Sequence, residues 1–121
     1  MDRRQLTPCI ALLLALALIP FAAGRPGAEP RVIELAIRGG ALPEDQRVIR
    51  VRQGDEISLR WTTDKPLTIH LHGYDIEKKL SPNVPTIMRF SARATGRFPI
   101  EIHGPEHGSE ATIAYLEVHP R

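Results

Sequence analysis

Five histidines occur in the 121 residues, and four of them fall in two tight pairs. His70 and His72 stand two apart in "TIHLHGYD", residues 68–75, and His103 and His107 stand four apart in "HGPEHG". Neutral imidazole is a common ligand of metal ions near pH 7. On a strand, residues i and i+2 point to the same side with Cα atoms about 6.7 Å apart. From there both rings can converge on one ion, at Zn–N or Cu–N distances of about 2.0 Å. The same pattern also arises when two half-exposed residues share a strand face and bind nothing. Two features favour the metal: the histidines come in pairs, and both pairs sit at strand-to-loop boundaries, where sites tend to be built.

Alternation assigns the faces on which these residues must lie. In 67–72, Leu67, Ile69 and Leu71 point one way and Thr68, His70 and His72 the other. In 98–103, Phe98, Ile100 and Ile102 point inward, while Glu101 and His103 face away. His107 follows in a Gly/Pro loop, where period says nothing of its direction. His119, in the terminal "EVHP", belongs to no cluster and reads as a surface residue. Met88 reads as core rather than ligand, although an inward Ile87 would turn it outward.

The elements carrying these faces are strands. "RVIELAIRGG" sets Val32 (or Ile33), Leu35 and Ile37 against Glu34 and Arg38, and "RVIRVRQGD" reads as a second strand. Gln53-Gly54-Asp55 marks a turn between two patterned runs. "EISLRWTT" puts Ile57, Leu59 and Trp61 opposite Glu56, Ser58, Arg60 and Thr62. "PLTIHLHG", "TIMRFSA", "RFPIEIH" and "ATIAYLEVH" complete about seven short strands, with turn residues every 8–12 positions on average. That spacing predicts an all-β sandwich or barrel. "YDIEKKLSPN" reads as a helical turn or an extended crossover. Pro99, which donates no backbone hydrogen bond, predicts an edge, a bulge or a strand start in its run.

The first 24 residues stand apart from this pattern. Arg3 and Arg4 precede the apolar run Cys9–Ile19, Pro20 breaks it, and Ala22-Ala23-Gly24 fits a small-x-small cleavage site. Residues 1–24 are therefore expected to be a secretory signal, 25–30 a flexible leader, and 31–121 a single domain. The run is short for a bilayer span, and no second apolar run of membrane length follows. The expected location is the periplasm or outside the cell, with no membrane attachment after cleavage. Cleavage would remove the single cysteine, Cys9, which has no lipobox around it. A chain from Arg25 onward has no disulfide, no thiolate nucleophile and no iron–sulfur or blue-copper thiolate. Of 16 basic and 14 acidic side chains, the signal holds Arg3, Arg4 and Asp2, so the remainder carries +1. A charge so near zero gives no nucleic-acid footprint. The remaining residues, about 97, can bury roughly 60–65% of their unfolded surface, enough for one small core.

The order of these motifs resembles a cupredoxin-like domain, of the plastocyanin and azurin kind. The resemblance covers Val48 to Pro120. It rests on the strand pair from Val51 to Trp61, the histidine-bearing strand after it, the hairpin from Phe90 to Glu101 and the terminal Leu116–Pro120. It implies a Greek-key β-sandwich of seven to eight strands and a copper site. The family's first histidine matches His70 or His72, and its later histidine matches His107. Its cysteine falls at Ile102 or His103 and so is missing, and its methionine has no counterpart among Gly108 to Thr112. Without the thiolate, blue-copper tuning and ordinary electron carriage are not expected. "His-x-His-Gly" also resembles a ligand motif of multicopper oxidases. Those enzymes need several such motifs in more than one domain, so oxidase activity is not expected of this chain alone. No Ser/His/Asp set or carboxylate pair stands out, and no enzyme is expected.

The expected function is copper handling through a thiolate-free histidine site of His70, His72, His103 and His107, with Glu101 near its edge. A nitrogen set of that kind favours Cu(II) in a tetragonal arrangement. Zinc is the alternative ion for the same cluster. The alternative function is a metal-free cupredoxin-like scaffold that binds a protein partner in the same compartment.

Overall fold

The computed structural model describes residues 29–104 and 110–121. The expected signal 1–24, with Cys9, lies outside the described residues, as do most of the leader and His107. The chain runs through strand β1 (Arg31–Ile37), a 3-10 turn (Glu44–Gln46), β2 (Val48–Arg52), β3 (Glu56–Thr63), β4 (Leu67–Leu71), β5 (Ile76–Leu80), β6 (Thr86–Ser91), β7 (Gly96–His103) and β8 (Glu110–His119). Two sheets result, one ordered β1-β3-β6 and the other β2-β8-β7-β4-β5. β1 pairs with β3, and β2 with β8, in parallel; the other ladders are antiparallel. This is the all-β sandwich that the period-2 patterning predicts.

Alternation sends the apolar side chains between the sheets. Leu35, Ile57, Leu59, Trp61 and Met88 come from one sheet, and Ile69, Leu71, Ile100 and Leu116 from the other; all are buried. Complete burial of a side chain of this size contributes roughly 1.5–3 kcal/mol, so this layer holds the sandwich closed. Ile33 packs against the core and Val32 is 60% exposed, which resolves the first strand's register. Met88 is inward and Ile87 outward. His119 lies on the surface. Gln53-Gly54-Asp55 forms a corner between the two sheets rather than a hairpin, since β2 and β3 lie in different sheets.

One expectation needs correction and another is resolved. "YDIEKKLSPN" contains no helical turn: Ile76–Leu80 is strand β5, paired antiparallel with β4. Leu80 is the buried residue that docks it, and the charged run Glu77-Lys78-Lys79 masks its period. Of the three settings expected for Pro99, the structure has the bulge, not an edge or a strand start. It lies inside the central strand β7, directly before a register shift between Ile100 and Glu101.

That shift is a β-bulge in β8. Ile100 pairs with Ala114, but Glu101 pairs with Thr112, so Ile113 is the extra residue. Ile113 and Ala114 are both buried. A bulge reverses the facing of everything beyond it. Counted back from the inward Leu116, strict alternation would aim Glu110 into the core. The bulge instead puts Thr112 beside Glu101, and Glu110 beside His103, on the outer face.

Candidate metal centre

The outer face of the five-stranded sheet carries the histidines. Leu67, Ile69 and Leu71 are buried, so Thr68, His70 and His72 are turned outward as alternation requires. The rings of His70 and His72 lie with centroids 4.1 Å apart and planes tilted by 44°. His72 stands just past the end of β4. Its backbone N–H donates to the Pro99 carbonyl at 3.0 Å, which keeps it in line with the sheet.

The turn after it is locked. Gly73 has φ +82°, and a Cβ there would collide with the edge of the Phe98 ring. Only glycine meets both demands. Tyr74 packs at 5.1 Å from both Phe90 and Phe98. Its hydroxyl donates to the Ala94 carbonyl at 2.8 Å and accepts from the Ala94 N–H at 3.1 Å. The β4–β5 turn is thereby tied to the β6–β7 loop. Asp75, with φ +54°, ends the turn and places its carboxylate 3.5 Å from His70 Nε2. Across the ladders, His70 stands directly between Glu77 of β5 and Glu101 of β7.

β7 and β8 supply the rest of the face. Glu101 Oε2 is 2.7 Å from His72 Nε2, a charge-assisted length. The His103 ring lies 6.3 Å from that of His70. His103 Nδ1 is 3.7 Å from Glu110 Oε1, beyond hydrogen-bond reach, and its Nε2 is buried with no hydrogen-bond partner among the described residues. Glu101, His103 and Glu110 each offer a ligand atom, and these atoms lie within 4.8 Å of one another.

Of the four histidines that the sequence singles out, His70, His72 and His103 share this face; His107 lies outside the described residues. Glu101 is at the centre of the group rather than at its edge. Glu110 and Asp75 were missed. Glu110 reaches the face only through the bulge, and Asp75 only through a left-handed turn residue. Imidazole nitrogens beside carboxylate oxygens make the face suited to a divalent cation.

No family model and no curated protein matches the chain. Solved structures do resemble it. Auracyanin A, a blue copper protein from Chloroflexus aurantiacus, superposes with a TM-score of 0.57 at 17% identity, over 75% of this chain and 100% of that one. The periplasmic domain of subunit II of cytochrome oxidase (CoxB) of Bradyrhizobium japonicum gives 0.60 at 13% identity, over 74% and 83%. A copper binding protein in the apo form gives 0.56 at 10%, over 73% and 86%. Likeness at such identities is likeness of fold, and the fold is the cupredoxin-like β-sandwich.

Proposed function

We propose that this cupredoxin-like sandwich binds copper(II) on the outer face of its larger sheet, without sulfur. His70, His72 and His103 are the proposed ligands within the described residues, and His107 is the proposed fourth nitrogen. The observation that carries the reading is the tilted His70–His72 pair, 4.1 Å apart, with His103 on the same face. The donor chemistry fits. Imidazole suits Cu(II), and copper stands highest in affinity among the divalent first-row ions for such a set. At the strand end where the related fold carries its cysteine, Ile102 packs against the core and His103 faces outward, so the donor there is an imidazole.

Bound copper would supply a redox-capable Lewis acid. The protein's own residues do the positioning. β4 fixes the spacing of the pair, and Glu101 holds His72 through Nε2, leaving Nδ1 for an ion. Asp75, Glu77 and Glu101 surround the paired rings with negative charge, which favours a cation. The role that follows is copper handling in the periplasm or outside the cell: storage, delivery or tolerance. This reading draws on the signal expected from the sequence and on the likeness of fold to copper proteins.

The test is titration of the purified protein with Cu(II), with Cys9→Ser in every sample so that no thiol competes. Stoichiometric binding is expected, lost in His70→Ala/His72→Ala, with no intense thiolate-to-copper band in the visible. Absence of binding would favour the alternative of a metal-free scaffold for a protein partner, and binding unchanged in the double variant would overturn the His70–His72 site.

A further inference from the structure

The geometry points to a second cation site on this chain, Glu101–His103–Glu110, which takes zinc(II) and does not require the His70–His72 pair. Three observations carry it. The ligand atoms of the three side chains already lie within 4.8 Å of one another. Among the described residues neither ring nitrogen of His103 has a hydrogen bond: Nδ1 is 3.7 Å from Glu110, and Nε2 is buried without a partner. Two carboxylates, from Glu101 and Glu110, converge on that ring with mutual repulsion that a cation between them would relieve.

The donor set selects the ion. One imidazole and two carboxylates form a mixed nitrogen–oxygen set, less suited to Mg(II) or Ca(II) than an all-oxygen cage and less favourable to copper than a set of imidazoles. Zinc accepts three such protein ligands, at about 2.0–2.2 Å, and keeps a fourth position for water. An opening of about 300 Å³ adjoins His103, lined also by Thr68, Lys79 and Ser81, and gives solvent a route to the ring. The β8 bulge supports the assignment, because without it Glu110 would face the core. Bulges beside sites commonly re-aim a side chain in this way. His103 belongs to this set and to the proposed copper ligands, so the two ions compete for it. Each site nevertheless has members of its own, which lets the two be tested apart.

Zinc binding to the full chain carrying Cys9→Ser is measured by isothermal titration, beside Glu110→Gln and His70→Ala/His72→Ala. One zinc per chain is expected. Glu110→Gln is expected to weaken zinc at least tenfold and to leave copper(II) affinity within about threefold. The histidine double variant is expected to keep zinc affinity within about threefold while losing copper. Glu110 is 60% exposed, so its substitution leaves the core intact. No zinc binding, zinc affinity unchanged in Glu110→Gln, or zinc lost with His70 and His72 would overturn the site. Zinc binding of the expected pattern without any copper binding would uphold it and reject the copper reading alone.

Discussion

Glu101 joins the two halves of the histidine face. One oxygen holds His72 at 2.7 Å, and the other approaches the Thr112 hydroxyl at 3.5 Å. Partners of this kind fix a ligand's ring orientation and tautomer, and removing them typically costs 10–100-fold in metal affinity. Glu101→Gln keeps the shape but loses the charge. Copper(II) affinity in the variant, measured by competition with a chelator, is expected to fall by about tenfold or more. An unchanged affinity would mean that His72 needs no such support. The facing of Glu101 could be read from the sequence, because alternation holds without a break from Phe98 to His103. The facing of Glu110 could not. Its strand carries an extra residue at Ile113, and a run such as "EATIAYLEVH" shows no signal that separates a bulge from regular pleating.

Strand β4 and its turn do the positioning. Gly73 carries a positive φ and touches Phe98, so Gly73→Ala is expected to destabilise the fold by about 2–4 kcal/mol. Thermal or denaturant unfolding would register this, and a wild-type midpoint would contradict the packing described. Tyr74→Phe leaves the ring stacked but removes both bonds to Ala94, with an expected loss of about 1 kcal/mol. Strands β1–β4 and β6–β8 were legible because one face of each is apolar. β5 was not, since three consecutive charged residues fill its middle and it sits at a sheet edge. For Pro99 the sequence left an edge, a bulge or a strand start open, and the bulge is the one found. A missing N–H argues for an edge, but it can also be accommodated inside a central strand where a bulge follows.

In the molecule as a whole, the pole opposite the His103–Glu110 end is tied by charge. The Arg52 backbone N–H donates to the Asp55 carboxylate, and the Arg121 guanidinium also bonds it; with Arg31 near, these hold Asp55 below its ordinary value of 3.8. A carboxylate whose folded value is lowered stabilises the fold above its unfolded value, and that contribution is lost as pH falls through the folded one. Asp55→Asn is therefore expected to be less stable than wild type at pH 7, with the gap closing below pH 3.8. Unfolding midpoints across that range would check it, and a gap that widens toward acid would reverse the sign. At the histidine end, the central claim is copper held by imidazole without sulfur. X-ray absorption on the copper(II)-loaded protein tests it. Nitrogen or oxygen scatterers at about 2.0 Å with the multiple-scattering pattern of imidazole are expected, reduced in His70→Ala/His72→Ala. A sulfur scatterer, or a first shell without imidazole, would contradict it.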